Sequence, residues 1–177
     1  MLILFWEDAG TLRTLLTRRP AHMSRHAGQI AFPGGILEEG ESYRDAAVRE
    51  AHEEVGLDPS SIEVVGRLDD AWSGAGNRLA PFVALSKVRP RLSANPAEVA
   101  DILTPDVAPL LRPEARGQEM VEWRGIEYAN ETVEFEGGKA YGLSADLLLE
   151  ALEWGGGHAP RRGEARLRDL ASYHRLA

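Results

Sequence analysis

Glu50, Glu53 and Glu54 place three carboxylates within the short run Arg49-Glu50-Ala51-His52-Glu53-Glu54-Val55. On a helix Glu50 and Glu54, four apart, share one face, and Glu53 lies beside Glu54 and three after Glu50. Like charges at that spacing cost a few tenths of a kcal/mol per pair in an isolated helix. A cation held between them converts the cost into binding. Carboxylate oxygens suit Mg²⁺ or Mn²⁺, ions that neutralise phosphate oxygens and activate a water for attack. The plain alternative is a solvated acidic face, the usual fate of a charge run.

The local pattern predicts the helix that would carry these groups. Ser42 is a good N-cap, and Asp45 stands three residues on, where a capping box places its acidic partner. Tyr43 to Val55 contains no Gly or Pro, and Val48, Ala51 and Val55 line the side opposite the acidic face. Gly56 suits a left-handed residue past the helix end, with Leu57 making the contact beyond it. Around this helix strand signals dominate. Met1–Trp6 and Thr11–Arg19 read as a hairpin, with short strands at Gly28–Phe32, Ile62–Leu68, Leu79–Val88 and Glu98–Leu103. Pro105–Leu111 reads as a short helix, Met120–Tyr128 and Thr132–Phe135 as strands, and Ser144–Trp154 as a second amphipathic helix capped by Ser144. Strands mixed with two main helices predict an α/β fold, a sheet sandwiched between helices.

Composition narrows the chemistry. The chain of 177 residues suffices for one compact domain with a substantial core. A formal net charge of −8 argues against a nucleic-acid backbone partner. With no cysteine there is no disulfide, thiolate nucleophile or Cys-based zinc site. The apolar start Met1–Trp6 is too short to span a membrane and lacks a basic leader, so a cytoplasmic protein without a membrane partner is expected. Residues 1–154 are expected to form the domain and 155–177 a Gly/Arg-rich tail. After Gly155-Gly156-Gly157, His158 to Ala177 carries five Arg against one Glu and one Asp. A loosely held terminus, a short docked helix and a dimer contact are the readings of that tail, the first being the commonest fate of a terminus.

From Gly35 to Leu57 the chain matches G-x5-E-x7-R-E-U-x-E-E-x-G-U, where U is aliphatic and Ala51 counts as U. This resembles the Nudix box of the Nudix hydrolases. The resemblance implies an α/β/α sandwich with a mixed sheet. It also implies a pyrophosphohydrolase in which Glu50 and Glu54 hold Mg²⁺ or Mn²⁺, with the Gly34 carbonyl a further ligand. Glu53 would be another ligand or the base, and Glu98 is the alternative base from outside the box. Glu41 and Arg49 would pair to hold the loop against the helix.

The run just before the box is similar to the signature of the coenzyme A diphosphatase group, L-L-T-x-R-[SA]-x3-R-x3-G-x3-F-P-G-G. Leu15, Leu16, Thr17, Arg19, Gly28, Phe32, Pro33, Gly34 and Gly35 match in order and spacing. Pro20 departs where Ser or Ala is expected, and Ser24 where Arg is expected; Arg25 sits one place along. Arg18, Arg19, Arg25, His22 and His26 make this loop cationic, which suits a substrate with a pyrophosphate and a 3′-phosphate. Looser likenesses at Leu68–Leu85, Asn95–Asp101 and Ala140–Ser144 extend the resemblance over about Leu12 to Leu152.

The expectation is a metal-dependent enzyme cleaving coenzyme A or a derivative, with Arg19 and Arg25 binding substrate, as monomer or homodimer. One alternative is a Nudix pyrophosphatase for another nucleoside diphosphate derivative such as ADP-ribose. A second is a non-catalytic nucleotide-binding module. His52, at an unspecified box position, is expected to be exposed, and Trp72 to serve packing more than base stacking.

Overall fold

A computed structural model describes residues 1–23, 26–73, 76–123 and 125–155, the side chain of Trp123 excepted. The elements are β1 (Leu2–Asp8), β2 (Thr11–Thr14), β3 (Leu16–Arg18), β4 (Ile30–Ala31), α1 (Tyr43–Val55), β5 (Ile62–Arg67), β6 (Ala71–Trp72) and β7 (Arg78–Leu79). They continue with β8 (Phe82–Ser86), β9 (Asp101–Leu103), α2 (Val107–Leu110), β10 (Arg116–Trp123), β11 (Ile126–Phe135), β12 (Gly138–Tyr141) and α3 (Leu143–Gly155). The central sheet has the order β2-β1-β8-β5; β1 and β8 are parallel and the other pairs antiparallel.

Period-two alternation along β1 divides the core into two halves. Leu2, Leu4 and Trp6 pack with Ala47, Ala51 and Val55 of α1. Ile3 and Phe5, on the opposite face, pack with Leu147, Leu148 and Ala151 of α3. The expected helix–sheet–helix arrangement with a mixed sheet is therefore the observed one. No described helix is long and apolar enough to cross a membrane.

The expected strand from Thr11 to Arg19 is divided at Leu15. This buried residue donates its N–H to the Leu4 carbonyl, and the chain then leaves the central sheet for a second one of order β4-β3-β9. The expected strands at Met120–Tyr128 and Thr132–Phe135 are instead a long hairpin, β10 with β11, turning between Trp123 and Ile126. The strand-like alternation concealed a turn whose signal is Gly125, at φ 79°. Ser144 is not a cap. The second helix starts at Leu143, and Asp146 N–H bonds to the Gly142 carbonyl, so Ser144 lies in the first turn. The 156–177 part of the expected tail lies outside the described residues.

Candidate metal and catalytic site

Helix α1 is held at both ends by the devices its sequence carries. Ser42 Oγ accepts from Asp45 N–H and donates to Asp45 Oδ2, the latter at 2.7 Å. Gly56, at φ 65°, takes the left-handed position and donates its N–H to the His52 carbonyl at 2.8 Å. The helix turns Ala47, Ala51 and Val55 inward, and this rotation brings Glu50 and Glu54 near Met1, at the start of β1.

Carboxylate oxygens of Glu50, Glu54 and Glu98 lie within 4.8 Å of one another. Glu98 reaches them through a loop docked on the end of α1. Ser93 N–H bonds to the Val55 carbonyl at 2.9 Å and Asn95 N–H to the Glu54 carbonyl at 2.8 Å. These bonds occupy carbonyls that a helix end leaves open. Glu98 thus sits in a turn beside Asn95 rather than in the expected strand, which begins only at Asp101. In the sequence Asn95 stands out only as the start of the Asn95–Asp101 likeness; an Asn before Pro is a local signal for a turn, but its bond to α1 is not.

The two neighbouring box glutamates part company. Glu54 is buried, at 6% exposure, and burial, then the charges of Glu50 and Glu98, push its carboxyl up to about 7. A backbone hydrogen bond from Gly34 and the positive charge of Arg19 pull the other way. Glu53 is half-exposed and pairs with Arg49 Nη1 at 2.9 Å, one turn back along the helix. It is not among the three converging carboxylates.

Arg49 ties the preceding loop to α1. It donates to Glu41 through Nε at 2.9 Å and Nη2 at 3.1 Å, to the Ile36 carbonyl at 3.1 Å, and to Glu50 at 2.9 Å. Its hydrogen bonds hold the Glu41 carboxyl below the usual range. Gly35 lies close under the Glu50 carboxylate, which a Cβ there would displace. The donor set is all oxygen, partly buried and made of three crowded carboxylates. That combination fits a hard divalent cation.

Arg19 stands near enough to act on Glu54, and its Nε is buried with no hydrogen-bond partner among the described residues. Its backbone closes a loop, Arg19 N–H to the Gln29 carbonyl at 2.9 Å and Gly28 N–H to the Arg19 carbonyl at 3.2 Å. Arg18 turns away from this site and pairs with Asp101 at 2.9 Å. His26 Nδ1 lies 2.7 Å from Gln29 Oε1. Ser24 and Arg25 lie outside the described residues. Trp72 is half-exposed on β6, and His52 is exposed. A contact not foreseen joins the loop after β5 to α1: the Arg78 guanidinium lies 5.3 Å from the Tyr43 ring centre, and Asp70 bridges Arg67 and Arg78.

Comparison with known proteins agrees with this architecture. The family model described as NUDIX domain matches residues 1–124. The chain is 34% identical over 158 residues to "Nudix hydrolase 15, mitochondrial" of Arabidopsis thaliana, covering 85% of this chain and 55% of that protein. It is 32% identical over 137 residues to "Uncharacterized Nudix hydrolase NudL" of Enterobacter sp. (strain 638), covering 77% and 71%. Against the two Arabidopsis relatives, the chain spans about half of their length. Among solved structures, an Ap4A hydrolase binary complex from C. elegans superposes with a TM-score of 0.51 at 19% identity, over 58% of this chain and 75% of that one. On these matches, the chain belongs to the Nudix family.

Proposed function

We propose that this chain is a metal-dependent pyrophosphohydrolase. In this reading it cleaves coenzyme A or a derivative to adenosine 3′,5′-bisphosphate and 4′-phosphopantetheine, or its acyl form. The observation that carries the hydrolytic part is the convergence of Glu50, Glu54 and Glu98. The coenzyme A part rests on the order Leu15-Leu16-Thr17, Arg19, Gly28, Phe32-Pro33-Gly34-Gly35 leading into that cluster. Residues 1–154 form the catalytic domain in this proposal, and the protein acts in the cytoplasm on a small molecule, as monomer or homodimer.

Glu50, Glu54 and the Gly34 carbonyl would hold Mg²⁺ or Mn²⁺. Such an ion supplies neutralisation of the pyrophosphate oxygens and acidifies a water. The protein does the rest. Glu98, converging on the same point from another element, accepts the proton of the attacking water; oxygen then bonds to phosphorus as the bridging P–O bond breaks. In this reading Glu98 is the base, since it converges on the cluster while Glu53 lies outside it. Arg19, with its unpartnered Nε, and Arg25 take the anionic substrate. Glu41 and Arg49 fix the loop that carries Gly34 and Gly35 against α1.

Initial rates with Mg²⁺ or Mn²⁺ on coenzyme A, dephospho-coenzyme A and ADP-ribose test the proposal. Coenzyme A should be turned over fastest. A clear preference for ADP-ribose would overturn the substrate while keeping the chemistry. Nucleotide binding without metal-dependent hydrolysis, unchanged in Glu50→Gln, would establish a binding module instead.

A further inference from the structure

The face of the central sheet away from α1 is incompletely covered. A groove of about 900 Å³ runs beside α3, floored by Phe5, Val65, Val83 and Leu85. Leu111 and Trp154 form part of its walls. Val65 is 38% exposed, Leu85 45% and Trp154 42%. A strand face meant for water alternates to polar residues, whereas Val83 and Leu85 continue an apolar face past the end of its cover.

We propose that the groove is the docking site of this chain's own segment 161–177. Three observations select that occupant. The chain leaves α3 at the lip of the groove, where Trp154 and Gly155 line it, so the segment arrives at high effective concentration. Gly155-Gly156-Gly157 permits the reversal that such a return needs. Within the segment Leu167, Leu170 and Ala171 recur at helical spacing, with Arg168, Asp169, Ser172 and Arg175 falling on other sides. Charge agrees. Glu63 lies opposite Leu85 in the register, beside the groove, the groove's own Arg116 pairs with Glu153 at 3.8 Å, and 158–177 has five Arg against one Glu and one Asp.

The native chain has no cysteine, so Ser172→Cys accepts a single nitroxide label. In full-length, methyl-labelled protein the label should broaden the methyl signals of Val65, Leu85 and Leu111. A mixture of spin-labelled chains without isotope and isotope-labelled chains without spin should show no broadening. Broadening in the mixture would mean that a second copy fills the groove, and no broadening in either sample would mean that the segment does not dock; both overturn the proposal. As an independent measurement, Leu167→Asp/Leu170→Asp in the full chain should lower Tm by about 5 °C or more. An unchanged Tm would also overturn it.

Discussion

The two faces of the central sheet solve different problems with the same strands. On the α1 side, Ala47 and Ala51 let the helix lie close over Leu2, Leu4 and Ala84, and the helix can then carry Glu50 and Glu54 near the start of β1. On the α3 side, larger residues, Leu147, Leu148 and Leu152, meet Ile3, Phe5 and Val83, and the cover stops short of Val65 and Leu85. The α1 face carries its charge cluster beside a tightly buried seam of Ala47, Ala51 and Val55. The α3 face supplies packing without any converging carboxylates among the described residues.

If that division holds, substitutions on the two sides should separate activity from stability. The largest effect belongs to Glu50→Gln and Glu54→Gln: turnover of coenzyme A should fall about 10³-fold or more, with Mn²⁺ binding by calorimetry lost in parallel. Next, Glu98→Gln should lower kcat about 10²-fold while Glu53→Gln stays within about threefold. The reverse ranking would return the base to Glu53. Leu148→Ala, on the other face, should cost about 3 kcal/mol in urea unfolding and leave kcat per folded molecule unchanged. A matching loss of kcat would mean that the faces are coupled.

The smallest effect is a pH dependence of the metal-free protein. The folded carboxyl of Glu54 is raised to about 7, above its value in an unfolded chain, so the folded state holds its proton more tightly. Stability from this group is present at low pH and is lost as pH rises from about 4.5 through 7. Metal-free protein should therefore be less stable at pH 8 than at pH 5 by about 2 kcal/mol from this group. In Glu54→Gln that share of the pH dependence should vanish, with a higher Tm at pH 8. If the wild-type and Glu54→Gln profiles ran parallel, Glu54 would not be the strained group.

Helix α1 was legible because everything that defines it is local: Ser42 before it, Gly56 after it, and one apolar face between. The layered fold followed from the alternation of strands with two amphipathic helices. The hairpin of β10 and β11 was not legible, since Met120 to Tyr128 shows no Pro or Asn and its turn rests on Gly125. The position of Glu98 depends on Asn95 and Ser93 bonding to the end of α1, contacts across some forty residues of chain that no local pattern encodes. For the same reason, adjacent glutamates of equal composition, Glu53 and Glu54, could not be told apart until Arg49 was seen to engage one of them.

The loop closed by Arg19, Gly28 and Gln29 has a consequence for how such a protein can diversify. Its two ends are fastened to each other by main-chain hydrogen bonds, and Leu15 has already set the register of the strand that enters it. Exposed residues of this loop such as Ala21, His22 and Ala27 can therefore be exchanged without slipping any strand beneath the glutamates, whereas Pro20 is buried. In the proposed reading, new substrates are sampled by recasting those positions while the glutamate cluster stays untouched.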